Sequence, residues 1–415
     1  MSNPAISKQP IPSFTIDLAR PPRERYDEVV RVFGSRMRSL TEVFEDLLSA
    51  FIASTWLRAI VVGLSKFCLR RVCDEEENEE VRGISAASGV PLYLLVALNN
   101  LLDCLLGCTS GAVPVSLGKP TRKTGDDGTD LPHTRLLHFR TLDWGMDELR
   151  DLLVVLNFVD SSSGDPSRVI ARSITYAGFV GSLTAVKPGL SISLNHRPCH
   201  DCPSRQLRWH QLLVLIGKRR SIGSIVRSFM LRPFKHIDEM RHNSDGSISR
   251  FAEQTMALPP IPSAPCYLIL CDGREAALIV KDHSTGTVRS TQGFIAQTNH
   301  DPKDYHDGAA HTHEVSRQDR HKVITSSFGV EDWVEESIDR LQCVQKKWDR
   351  YVVRYRAKNS TLPSAMKPSI TEGTLRKWIS DYPTLNECSH FTTILDPMTG
   401  KIRWLVRGQL EDPED

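Results

Sequence analysis

The chain of 415 residues changes character at Gly107-Cys108-Thr109-Ser110, and that junction restricts its folding choices more than any other feature. Before it, apolar residues recur at helical spacing. Val29, Val30, Val32 and Phe33 lead into Val43, Leu47, Leu48, Phe51 and Ile52, and residues 56–69 continue the register with Arg58, Lys66, Arg70 and Arg71 left for a wet face. A second helical unit spans 79–106, and its nearly continuous apolar stretch 91–98 is expected to be buried. After the junction, short strand-like runs dominate: 112–115, 136–140, 152–158, 169–176, 182–186 and 190–195, separated by turns such as Ser161-Ser162-Ser163-Gly164-Asp165-Pro166. Helix is expected again at 206–230, strands at 266–271, 276–282 and 293–297, helices at 330–355 and 372–381, and a hairpin at 390–395 and 401–406. Helical and strand runs in separate blocks predict a layered α+β fold, not a strictly alternating parallel sheet.

Hydrophobic residues make up 40 % of the chain and charged residues 25 %, enough apolar material for a large core. The net charge of +2 gives no basis for a nucleic-acid partner. The most apolar segment, 47–64, is interrupted by Ser49, Ser54, Thr55 and Arg58, short of the ~20 clean residues that a membrane span needs. Residues 43–69 are read as core helices, the competing reading being a lip that meets a lipid surface through Leu47 and Phe51. The acidic run Asp74-Glu75-Glu76-Glu77 reads as a solvated turn. The opening Met1-Ser2-Asn3-Pro4-Ala5-Ile6-Ser7-Lys8 has no charged-then-apolar leader, which predicts a cytoplasmic protein. The ten cysteines are accordingly read as mostly reduced.

Few residues are placed to carry chemistry. Cys108 sits where a helical segment gives way to a strand, so it is either a nucleophile or a small buried hydrophobe. Arg140 and Asp143 close a predicted strand, as a surface ion pair or as a charged pair that orients a nucleophile. Asn195 and Asn299 each end a strand, where asparagine caps turns and can also donate to a developing oxyanion. Cys199-His200-Asp201-Cys202 with His210 offers zinc-type ligands, but one Cys-x-x-Cys without a second pair is a poor zinc signal. His311 and His313 fall in the polar stretch 301–320, read as a loop with solvated imidazoles. No metal or cofactor is expected.

The order of these residues resembles the acid ceramidase and N-acylethanolamine acid amidase family of N-terminal nucleophile hydrolases. Ile11-Pro12-Ser13-Phe14-Thr15-Ile16-Asp17-Leu18 with Pro21-Pro22 is similar to the family's opening strand and Leu-x-x-Pro-Pro. Arg82-Gly83-Ile84-Ser85-Ala86-Ala87 resembles the helix before the family's cleavage site, and Cys108-Thr109-Ser110 the start of its large subunit. Arg140-Thr141-Leu142-Asp143 fits Arg-Asn-x-Asp, with Thr141 in place of Asn. Residues 176–195 resemble the family's strand-turn-strand, and Gln297-Thr298-Asn299-His300-Asp301 its Thr-Asn-Tyr-Asp.

The resemblance implies a four-layer αββα fold with a helical N-terminal segment, and a precursor that splits before Cys108. Residues 1–107 would form a small (alpha) subunit and 108–415 the catalytic large (beta) subunit, held together as a heterodimer. Cys108 would be the nucleophile, its own α-amine the base and Asp143 the group orienting that amine. Arg140 would favour the neutral amine, Asn299 would face the oxyanion, and Asn195 would be a further residue of the site. Arg320 is aligned with a later active-site arginine, with Arg317 as the competitor. The implied substrate is an N-acyl lipid, ceramide before an N-acylethanolamine, with peripheral membrane contact and a lysosome-like compartment. A homologue that binds lipid without turnover is the further alternative. Besides Thr141, three departures stand out: His196 where the family has Glu, and insertions at about 114–132 and 303–313.

Overall fold

The computed structural model describes residues 6–7, 9–38, 40–41, 54–101, 107–118, 133–144, 146–232, 249–301, 330–359 and 367–408. Strands β1 (Ile6–Ser7) and β2 (Ser13–Asp17) come first, then helices α1 (Asp27–Met37), α2 (Thr55–Cys68), α3 (Glu75–Ser88) and α4 (Leu92–Leu101). Next come β3 (Gly107–Ser116), β4 (Thr134–Asp143), the short α5 (Asp147–Arg150), β5 (Leu153–Val159), β6 (Ala171–Tyr176), β7 (Thr184–Lys187) and β8 (Leu190–His196). Helices α6 (Ser204–Leu215), α7 (Ile222–Leu231) and α8 (Arg250–Met256) precede β9 (Cys266–Cys271), β10 (Ala276–Lys281), β11 (Gly286–Thr291) and β12 (Ile295–Gln297). The long α9 (Val330–Lys358), β13 (Ile370–Thr371), α10 (Glu372–Ser380) and the hairpin β14 (Ser389–Asp396) and β15 (Lys401–Gly408) follow.

Side-chain alternation sets the layers. The first sheet has the order β1-β15-β14-β4-β3-β12, with β13 beside β3; the second runs β11-β10-β9-β8-β7-β6-β5-β2. On β3 and β4, Val113, Val115, Leu137 and Phe139 pack with Val344 of α9 and Leu375 and Ile379 of α10. Ala112 and Leu136 point the other way and meet Tyr267, Ile269 and Cys271 of β9 between the sheets. On the far side, Leu268, Leu270, Ile192 and Leu194 pack in one cluster with residues of α1, α3, α4 and α7. The expected order helix, sheet, sheet, helix is therefore the one found.

The N-terminal segment is woven into both sheets. β2 pairs in parallel with β5, and β1 antiparallel with β15. A buried ion cluster adds to this. Glu80 of α3, with no solvent exposure, receives Arg25 Nη1 at 2.9 Å and Arg227 Nη2 of α7 at 2.7 Å, while Arg227 Nη1 donates to Val180 O at 2.9 Å.

Several expectations are corrected. The helical unit at 79–106 breaks at Gly89, which takes the left-handed conformation (φ 76°) that glycine adopts without steric cost. Gly217 (φ 68°) likewise divides 206–230 into two helices. Residues 74–77 are not a solvated turn: Asp74 caps α3 by accepting the Glu76 and Glu77 N–H groups, and it pairs with Arg220 and Arg232. The core reading fails for α2, none of whose residues is buried; Leu47 and Phe51 lie outside the described residues. Pro114, Val115 and Ser116 belong to β3 and not to a surface insertion, whereas 119–132 and 303–313 lie outside the described residues. No described helix is long and apolar enough to cross a membrane.

Candidate active site

β3 opens at the junction read from the sequence, and its first side chain facing the other sheet is Cys108. The thiol is fully buried. Arg140, paired with Ser110 across the β3–β4 ladder, reaches it: Nη2 donates to Cys108 Sγ at 2.9 Å. The same guanidinium is anchored on two backbone carbonyls, Leu194 O of β8 and Leu183 O just before β7, each at 2.6 Å. The thiol itself points at Leu194 O, 3.8 Å away. Burial pushes the Cys108 thiol above its ordinary range, and the Arg140 charge pulls in the opposite direction.

The nitrogen of Cys108 is held as well. Its N–H donates to Asn299 Oδ1 at 2.7 Å. Asn299 Nδ2 donates to His196 O at 2.8 Å, and its backbone N–H to Ser337 Oγ of α9 at 2.8 Å. Ser337 also accepts Thr298 Oγ1 on its carbonyl at 2.9 Å and lies 2.9 Å from His300 Nδ1, so α9 clamps the whole turn. Arg197 fixes the next residue with two bonds to Asp301, at 2.9 and 2.7 Å.

Asp143 is one residue out of phase with Arg140 and Leu142, so it projects to the helix-covered face. There Ser389 Oγ donates to its Oδ1 at 2.6 Å, and Arg340 Nε of α9 lies 3.6 Å from its Oδ2. Arg340 Nη2 also donates to Asn299 Oδ1 at 3.2 Å and thereby bridges the two. Burial raises the Asp143 carboxyl, opposed first by Arg340 and then by the Ser389 hydrogen bond.

Cys108, Arg140, Asp143 and Asn299 are thus brought together. Asn195 lies beneath them as a brace: it accepts from Ser110 Oγ at 2.7 Å and its amide donates to the carbonyls of Gln297 and Thr298 at 3.0 and 3.3 Å. Arg320 and Arg317 lie outside the described residues, and the arginine found at the site is Arg340. Ser337, Arg340, Val344, Trp348 and Tyr351 recur at 3- and 4-residue spacing on α9, so an arginine within that inward stripe was the signal to follow. The departures fall away from the thiol. Thr141 turns to the opposite face and bonds Thr392 Oγ1 at 3.1 Å. Position 196 serves Asn299 through its main-chain carbonyl, which any residue provides; the half-buried His196 ring has its pKa lowered to about 4, by burial and then by His200. Among the described residues no group of three or more His, Cys, Asp or Glu could hold a metal ion. His210 instead lies 3.1 Å from Arg219 Nη1 through Nδ1.

The family model for the beta subunit of N-acylethanolamine-hydrolyzing acid amidase matches residues 9–72. Acid ceramidase of Rattus norvegicus is 28 % identical over 318 residues, 70 % of each chain, and that of Bos taurus 24 % over 318 residues with the same coverage. A solved structure of a Caenorhabditis elegans N-acylethanolamine-hydrolyzing acid amidase ortholog aligns at 16 % identity and TM-score 0.42, over 70 % of this chain and 93 % of that one.

Two stacked sheets clad by helices, with Cys108 near the start of a central strand, form the layered α+β fold expected of an N-terminal nucleophile hydrolase, and the relatives it resembles are amidases. The chain is similar to acid ceramidases along 70 % of its length and to N-acylethanolamine-hydrolyzing acid amidase through residues 9–72, a likeness that supports an amidohydrolase of N-acyl lipids.

Proposed function

We propose that the chain cuts itself between Gly107 and Cys108 and then uses Cys108 to hydrolyse ceramide to a sphingoid base and a fatty acid. One observation carries the reading: both reactive atoms of Cys108 are gripped, the sulfur by Arg140 and the nitrogen by Asn299.

In the first stage the thiol attacks the Gly107 carbonyl carbon. The C–N bond breaks as the C–S bond forms, and water then hydrolyses the thioester to a Gly107 carboxylate and a Cys108 with free amine and thiol. An α-amine has a pKa of ~7.7–8.0, so it accepts the thiol proton more readily than a lysine would. Asn299 Oδ1 already receives one hydrogen of that nitrogen, and Asp143 supplies the carboxylate across the strand pair. In the second stage the thiolate attacks the lipid amide. Asn299, whose Nδ2 donates to His196 O, is the amide that faces the oxyanion. The amine leaves with the proton, and water releases the fatty acid from sulfur.

The acid ceramidases matched along 70 % of the chain support ceramide and an acidic working range. The matched family model at residues 9–72 supports the second reading, an N-acylethanolamine. Turnover of the two amides by one preparation, compared by kcat/KM, decides between them. Intact mass after incubation from mildly acidic to neutral pH tests the mechanism. Wild type is expected to give fragments 1–107 and 108–415, still associated, and Cys108→Ala a single 46.6 kDa chain without amidase activity. A cut or active Cys108→Ala chain would remove the thiol from the mechanism. A wild-type chain that stays whole but binds N-acyl lipid would be a binding homologue.

A further inference from the structure

β14 enters the first sheet with an irregularity. Its ladder to β4 runs Ser389↔Asp143 and then Phe391↔Leu142, so two steps on β14 match one on β4 and His390 is the extra residue. Bulges of this kind re-aim side chains and gather next to active sites. On one side of it, Ser389 falls in a single row across three strands: Gly107 of β3, Asp143 of β4 and Ser389 of β14.

The Ser389 hydroxyl is fully committed. It accepts the Asn386 backbone N–H at 3.0 Å, while the Ser389 N–H closes the loop on Asn386 O at 3.0 Å. A hydroxyl has one proton to give. Asp143 Oδ1 lies 2.6 Å away and Asn386 Oδ1 3.4 Å, so the proton goes to the carboxylate. Ser389 has no solvent exposure. The other oxygen, Asp143 Oδ2, is buried without a hydrogen-bond partner, its facing cation Arg340 Nε being 3.6 Å off. An ionised oxygen left in that state is costly unless a donor arrives.

We propose that Ser389 is a positioning residue for this reaction: it pins Asp143 Oδ1 and so leaves Oδ2 to receive the amine that cleavage creates on Cys108. The proposal rests on the reading of Cys108 and Asp143 given above. The groups facing Asp143 are Arg140 on its own strand, Arg340 and Glu336 on α9, Cys108 on β3, Tyr176 on β6 and Cys388 beside Ser389. Arg340 and Arg140 favour the carboxylate, whereas burial and Glu336 oppose it, and the Ser389 bond counts among the favourable influences.

Ser389→Ala deletes one oxygen, and Ser389→Thr keeps the donor. In the Ala variant the acid limb of the amide-hydrolysis rate profile of the cut enzyme should move up by about one pH unit, and Thr should restore it. A second readout needs no activity. In the uncut Cys108→Ala chain, the Asp143 carboxyl ¹³C signal, assigned by its loss in Asp143→Asn, should titrate about one unit higher when Ser389→Ala is added. An unmoved carboxyl overturns the proposal. A moved carboxyl with an unmoved acid limb also overturns Ser389 as a positioning residue for the reaction. If the wild type is never cut, the reading of Cys108 fails, while the carboxyl titration still decides whether Ser389 holds Asp143.

Discussion

Arg340 concentrates the logic of the site in one side chain. It is almost wholly buried on α9, and its guanidinium spans Asn299, which holds the Cys108 nitrogen, and Asp143. Hydrogen bonds to charged groups are worth ~1.5–3 kcal/mol, so Arg340→Ala should slow self-cleavage about 10- to 100-fold. Arg320→Ala is the comparison: a larger loss there would return the role to the stretch around 320. Cys108, Arg140, Asp143 and Asn299 could be read in the sequence because each lies at a strand end beside a short motif. Arg340 could not be read that way. Its link to Asn299 is 41 residues long in sequence and exists only because α9 folds back over the turn. Ser389 was hidden for the same reason, 246 residues from the carboxylate it touches.

At the scale of elements, α3 and α2 make opposite cases. Glu77 of α3 is buried against Arg227, Ser224, Asp74 and Glu80, and burial pushes its carboxyl up from 4.5 to about 7. A carboxyl raised in the folded state opposes folding when ionised. Stability should therefore rise as pH falls through about 7 towards 4.5, by about 3 kcal/mol, and be lost again as pH rises. Glu77→Gln should flatten that part of the stability curve, measured by denaturant midpoint from pH 5 to 8. Sequence hid this group because four consecutive acids look solvated, and docking on α7 buries the last of the four. On α2, Trp56 (64 % exposed) and Phe67 (68 %) stand with Ile60 and Leu64 in solvent. Exposed apolar residues at helical spacing suit a lipid interface. Trp56→Ser with Phe67→Ser should lower turnover of vesicle-borne amide about tenfold and spare a soluble fluorogenic amide; equal losses on both would reject the interface. The helical period of 55–68 was legible, but period alone cannot say which side of a helix meets the protein.

For the whole molecule, strand alternation and the junction at residue 107 led to the right layers, since the sheets are built from local runs. What they did not show is how far the N-terminal segment reaches, because β1 and β2 find partners about 400 and 140 residues away, respectively. Among the described residues no disulfide is formed, so after a cut at Gly107 strand pairing, packing, hydrogen bonds and ion pairs such as Glu80–Arg227 and Asp74–Arg220 would join the pieces. In the uncut chain, covalent tethering makes the meeting of β2 with β5 an intramolecular event at high effective concentration. In the cut enzyme the same meeting is bimolecular. If the chain is cut as proposed, the precursor would be a single-use folding template: heat or denaturant applied after the cut would destroy something that its own two pieces, diluted apart, have no rapid means of rebuilding.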